Sequence, residues 1–251
     1  MHLSSGTEDI GTERESDMPD TTRRAFVSAA ASFAAVPALA QATKAPGKNS
    51  NEPEVTPTED LMREHGLLRR ALLIYDHCGG LLRRKQLVDA GVVHDTASII
   101  RQFVEQYHEK MEEDFLFPRF RKANREVELV NTLLEQHRVG RGITDKILSL
   151  TAASSPLKDA AAQQALAHQL DWFLYLYRPH AAREDTVLFP ALHEIVNAKE
   201  YDLLGDQFED IEHKQIGEHG FEDMIGRIAA AEKKLGIYDL AQFKKEPPER
   251  T

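Results

Sequence analysis

The sequence predicts an all-α protein, an antiparallel up-down-up-down four-helix bundle with an additional C-terminal helical segment. Three observations carry that expectation. From Thr58 onward no stretch shows the strict period-2 alternation of β-branched residues that a half-buried strand requires. Four long periodic apolar runs follow one another with short connections, the pattern of antiparallel neighbours in a bundle. A set of chemistry-bearing residues also recurs at a constant interval of 72 positions, as expected of two helical hairpins that bury their apolar faces against each other.

The first helix is expected to start at an N-cap on Thr58, with Glu59 and Asp60 in its first turn. It follows the stripe Leu61, Met62, Leu68, Leu72, Leu73 and Tyr75 to a stop at Gly79-Gly80. The second covers roughly 95–123 and buries Ile99, Ile100, Phe103, Val104, Tyr107, Met111 and Phe115. The third runs over about 125–152 and ends before Ser154-Ser155-Pro156. The fourth, 157–197, is expected to be interrupted near Arg178-Pro179, because proline lacks an N–H donor and disfavours helical geometry in the residue before it. A further amphipathic segment spans about 199–235 and ends at Gly236.

The first 56 residues read differently. Residues 1–20 are polar and acidic; then come Thr21-Thr22-Arg23-Arg24-Ala25-Phe26-Val27, a small apolar run from Ser28 and an Ala38-x-Ala40 end. An arginine pair, a short alanine-rich run and an A-x-A site make up an export signal, and the run is too short for a permanent membrane anchor. The T-R-R-x-F-V core resembles the twin-arginine signal, which addresses folded proteins to the twin-arginine export machinery. The expected organisation is therefore a signal peptide at 1–40, a disordered leader at 41–56, the bundle at 57–197 and the C-terminal extension at 198–251, with an exported, periplasmic location.

Composition excludes other classes. With 31 Lys and Arg against 41 Asp and Glu, the net charge of -10 gives no electrostatic footprint for nucleic acid. The single cysteine, Cys78, forms neither an intramolecular disulfide nor a thiolate-based zinc or iron-sulfur site. The eleven histidines carry more information. His65, His108, Glu112 and Leu116-Phe117-Pro118 recur as His137, His180, Glu184 and Leu188-Phe189-Pro190, every member displaced by 72. Residues four apart share a helix face, so His108 with Glu112 and His180 with Glu184 form matched ligand pairs. They sit among Phe103, Tyr107, Met111 and Phe115, or Trp172, Phe173, Leu176 and Val187, where an unpaired charge is strongly penalised. A pair of divalent metals would compensate them, with both glutamates bridging and His65 and His137 arriving from the other two helices. Imidazole with carboxylate and no thiolate suits non-haem iron or manganese.

The pattern H…HxxxE…H…HxxxE, with L-F-P after each Glu, resembles the hemerythrin-like HHE cation-binding family over about residues 58–197. The resemblance implies a four-helix bundle holding two Fe ions in an oxo- or hydroxo-bridged centre, Mn being the alternative metal. It also implies His65, His108, Glu112, His137, His180 and Glu184 as the ligands. Oxygen-carrying hemerythrins place a second histidine one turn after the third-helix one; here that position is Arg141. They also use an aspartate five residues after the fourth-helix histidine, where Asp185 stands, although Glu184 is better placed on the same face. Two similar irons with open positions suggest a protein that binds O2, NO or peroxide as sensor, store or scavenger. A di-iron oxidoreductase, peroxidase-like or NO-handling, and an iron-buffering bundle are the alternatives.

The remaining candidates read more simply. Arg141 reads as a solvated helix-surface residue ahead of an anion-binding one, and Tyr107, Tyr175 and Tyr177 as core packing. His77, His94, His168 and His193 fit neither half of the repeat and read as surface or capping residues. His213 and His219, six apart, share no helix face, and Glu209, Asp210, Glu212 and Glu218 form a solvated acidic run.

Overall fold

The computed structural model describes residues 55–152, 157 and 159–244. The expected signal peptide and nearly all of the leader lie outside the described residues. Among the described residues the fold is all helical, without strands.

Helix α1 (Pro57–Arg83) starts two residues earlier than the sequence suggests. Thr56, not Thr58, is its N-cap: the Thr56 side chain accepts from the Glu59 backbone N–H, and the Glu59 carboxylate accepts in return from the Thr56 N–H. This reciprocal box, followed by Pro57 in the first turn, satisfies backbone donors that would otherwise be orphaned. Thr58 is instead buried, with its hydroxyl on that of Tyr201. Gly79 and Gly80 do not end the helix, because both are buried and the first lies close to Leu170 of the fourth helix. Tertiary packing there outweighs their weak helical preference.

Helix α2 begins with Ala90–Ile99, capped by Asp89, and continues unbroken to Phe117–Lys122 through widened, π-helical turns at Ile100–His108 and Glu112–Leu116. Helix α3 is Val127–Thr151. Helix α4 begins with Ala160–Arg183 and continues through a π-helical turn, Glu184–Leu188, into Phe189–Ile195. The two π turns at Glu112 and Glu184 are themselves 72 residues apart, and in each the N–H of the Phe donates to the carbonyl of the Glu five residues before it. Pro118 and Pro190 explain the widening: each follows that Phe directly, and its ring would clash with the carbonyl four residues back in a regular helix. The expected interruption at Arg178-Pro179 does not occur, and Pro179 sits inside α4. Contacts of α4 with α1 on one side and α3 on the other hold the helix through the missing hydrogen bond.

The four long helices close a ring of contacts, α1 to α4 to α3 to α2 and back to α1. Tyr75, Phe103, Tyr107, Phe117, Phe120, Phe173, Tyr177 and Phe189 fill its interior. Of the expected apolar faces, Leu73 and Trp172 turn out partly exposed, and Phe115 is half-buried. The single helix expected over 199–235 is two, α5 (Ala198–Gln215) and α6 (Gly220–Leu235). Gly217 breaks them at φ 106°, a conformation L side chains rarely adopt. Helix α5 packs on α1, and α6 on α1 and α2, where Arg70 holds Glu232 through two hydrogen bonds.

Thr56→Ala is expected to cost about 1 kcal/mol in chemical denaturation, the usual worth of an N-cap. An unchanged midpoint and slope would show that Pro57 and packing alone start α1.

Candidate metal centre

Each long helix contributes to one buried cluster: His65 from α1, His108 and Glu112 from α2, His137 from α3, and His180 and Glu184 from α4, none more than 3% exposed. His65 Nε2 lies 3.1 Å from His108 Nε2, and His137 Nε2 lies 3.2 Å from His180 Nε2. The glutamates span the two imidazole pairs. Glu112 puts Oε1 3.8 Å from His108 Nε2 and Oε2 3.4 Å from His137 Nε2. Glu184 puts Oε2 3.3 Å from His65 Nε2 and Oε1 3.1 Å from His180 Nε2. All six residues that the sequence singles out therefore meet at one place.

The outward nitrogens fix the state of the rings. His65 Nδ1 faces Asp185 at 2.7 Å, His108 Nδ1 faces Glu64 at 2.6 Å and His137 Nδ1 faces Glu113 at 3.1 Å. His180 Nδ1 faces Gln136 Oε1 at 2.9 Å. Carboxylate and amide oxygens only accept, so each Nδ1 carries a proton and each ring turns its Nε2 inward, where it can offer a lone pair to a cation. The four Nε2 atoms thus converge away from water with the four carboxylate oxygens of Glu112 and Glu184, and those oxygens have no hydrogen-bond partner. Such a set is repulsive unless positive charge lies among its members, and nitrogen with carboxylate oxygen is a donor set for a transition metal.

The electrostatics express the same demand. Burial and the neighbouring Glu184 push the Glu112 carboxyl well above the usual range. Burial opposes ionisation of Glu184 too, but His180 and His65 hold it low. Although burial opposes it, Asp185 and Glu184 raise His65 to about 9.

The outer contacts obey the same repeat, which the sequence reading did not extend this far. Asp185 is held by Arg69 and Glu113 by Arg141 at 2.6 Å. Phe189 stacks on His65 and Phe117 on His137. Arg69 and Arg141, Glu113 and Asp185, Glu64 and Gln136 are all separated by 72 residues, as are Phe117 and Phe189 of the Leu-Phe-Pro repeat, so carrying the offset up to four positions from the ligands would have found the polar pairs. Arg141 is accordingly not the solvated residue expected: half-buried, it pairs with both Glu109 and Glu113. Asp185 orients His65.

Other interior acids had no signal. Glu105 is buried, which raises it to about 7, beside Thr144 and Arg101. Glu109 accepts from the Tyr177 hydroxyl at 2.6 Å. Tyr107 and Tyr177 are buried as expected, whereas Tyr175 is exposed. His94 meets Thr151, while His168, His193, His213 and His219 are exposed. Glu209, Asp210 and Glu218 are exposed, but Glu212 is half-buried.

Fold and site together are those of an all-helical protein whose buried histidine and glutamate clusters fit a metal site. Residues 56–192 match the hemerythrin HHE cation binding domain, and the chain belongs to that family. An uncharacterized protein of Mycobacterium tuberculosis and one of Mycobacterium bovis are each 40% identical over 230 residues, covering 88% of this chain and 90% of theirs. No solved structure matches.

Two expectations follow. Gly140 lies under the Tyr177 ring, so that a Cβ there would overlap it; Gly140→Ala should cost about 1–3 kcal/mol and perturb the Tyr177–Glu109 bond, read by denaturation and by tyrosine ultraviolet difference absorption. Asp60 is raised to about 7 by burial and by Glu64 and Glu212. Its folded value lies above its unfolded one, so the folded form binds the extra proton and stability falls as pH rises from about 4 to 7. Asp60→Asn should remove that loss, gaining on the order of 1–2 kcal/mol at pH 8 and nothing at pH 4. Equal gains at both pH values would rule the titration out.

Proposed function

We propose that the chain is a non-haem di-iron protein of the hemerythrin-like type, an antiparallel up-down-up-down bundle with Glu112 and Glu184 bridging two irons. His65 and His108 would hold one iron, and His137 and His180 the other, with manganese as the competing metal. The observation that carries this reading is the convergence of four Nε2 lone pairs, each set by an Nδ1 hydrogen bond, on two buried carboxylates that span both pairs. Iron held there would supply the chemistry for binding a small ligand, and we assign O2, NO or peroxide to that role, for sensing, storage or scavenging. The protein's own part is to orient the imidazoles through Asp185, Glu64, Glu113 and Gln136 and to keep bulk water away with Phe117 and Phe189. We further propose export through the twin-arginine route, with cleavage after Ala40 and a periplasmic location. No helix among the described residues is long and apolar enough to cross a membrane.

A second reading, an oxidoreductase that turns over peroxide or NO, is favoured by one feature: Tyr177, ring against His180, donates to buried Glu109 beside the site. Consumption of many equivalents of peroxide per chain would select it, whereas reversible spectral change with O2 would select binding.

Protein purified from iron-replete cells is expected to carry about two irons per chain with oxo-bridge charge-transfer bands, as the four-nitrogen, two-carboxylate set requires. His108→Ala and Glu184→Ala should lose most of the metal and lower Tm by at least about 5 °C, since metal binding free energy is part of the folding free energy. Full iron content in both variants would refute the ligand assignment.

A further inference from the structure

Among the acceptors of the four ligand Nδ1 atoms, the two halves match except where one changes charge; beyond them, the first half's Glu109, paired with Arg141, has Ala181 as its repeat position. His108 Nδ1 donates to the Glu64 carboxylate, whereas the repeat-related His180 Nδ1 donates to the neutral Gln136 amide oxygen. The other two acceptors are alike, Asp185 backed by Arg69 and Glu113 backed by Arg141. The His65–His108 pair therefore rests on two anionic acceptors, and the His137–His180 pair on one.

We propose that Glu64, acting through His108, makes the two metal positions inequivalent, so that the His65–His108 position binds its metal more tightly and holds the higher oxidation state. The inference rests on the di-iron reading above. A ring that donates Nδ1–H to a carboxylate is more basic at Nε2 than one that donates to an amide, and a more basic ligand favours the more highly charged metal. Burial amplifies the difference, since Glu64 is 3% exposed and its charge is poorly screened. Charges elsewhere do not cancel it. On the second half's side, Glu109 and Glu113 face Arg141, and Glu113 also faces Lys110. On the first half's side, Arg69 faces Asp185, and Glu64 has no basic partner other than His108 among the described residues. Glu64 is thus a positioning residue, and the nearly isosteric Gln136 is the control that the repeat itself supplies.

The iron-loaded full chain, poised anaerobically with a redox titrant and followed by the EPR signal of the mixed-valent state, tests this by exchange. Wild-type protein should be reduced in two one-electron steps, with the mixed-valent state accumulating between them. Glu64→Gln and Gln136→Glu each make the two acceptors alike, and each should lower the comproportionation constant by about tenfold, the lower end of what outer hydrogen-bond partners change in metal affinity. The first should raise the mean potential and the second lower it. The double exchange E64Q with Q136E should restore the constant, a recovery that loss of packing does not produce. Unchanged constants in both single variants, or a double exchange that stays low, would overturn the proposal while two irons per chain left the di-iron reading standing. Fewer than two irons in the wild-type protein would overturn both. If Q136E does not fold, E64Q decides alone, and a mean potential that fails to rise overturns the inference.

Discussion

The structure depends on a concentration of like charge and lone-pair density that its interior would not tolerate by itself. Four imidazoles protonated on their outward nitrogens and the Glu112 and Glu184 carboxylates face one point in a medium of low polarity. Removing such groups from water costs several kcal/mol per ion unless compensating charge is close. Each outer feature serves that constraint. Acceptors hold the rings in one tautomer, Arg69 and Arg141 hold two of the acceptors, and phenylalanines close the flanks.

The backbone is shaped to the same end. A regular helix carrying His and Glu four apart places both on one face, but the Pro two residues after the Leu of each Leu-Phe-Pro forces a wider turn that begins at the glutamate. The fold thus carries its irregular turns where the Glu112 and Glu184 carboxylates leave the helix, a common association of π turns with functional positions. The long run of π-helical turns at Ile100–His108 has no counterpart in α4, where Pro179 stands at the position equivalent to Tyr107.

Much of this was legible in the sequence, and the reasons for the rest are specific. The helical class, the four long helices and the six central residues follow from periodicity and a constant offset, both of which survive in a single chain. Helix ends at Gly79-Gly80 and a break at Pro179 were misread because local preference gave way to packing between α1 and α4. The α5–α6 break at Gly217 was hidden in a continuous amphipathic run. Arg141 was misread because its partners, Glu109 and Glu113, lie on another helix and carry no spacing relation to it. The outer contacts were legible in principle, since the acceptors Glu64 and Glu113 and the donor Arg69 each have a repeat partner at the same interval as the ligands.

The pairing of these contacts across the repeat says something about how the arrangement could have arisen. Asp185 from the second half orients His65 of the first, Glu113 from the first orients His137 of the second, and each glutamate reaches a histidine of the opposite half. A single hairpin would leave its α1 or α3 histidine without the acceptor that sets its tautomer. A half-length ancestor could therefore have assembled this pocket only as a symmetric pair of identical chains. Fusion of two such copies would free each to change alone, and a Glu64 in one half opposite a Gln136 in the other is the mark such a release of symmetry would leave.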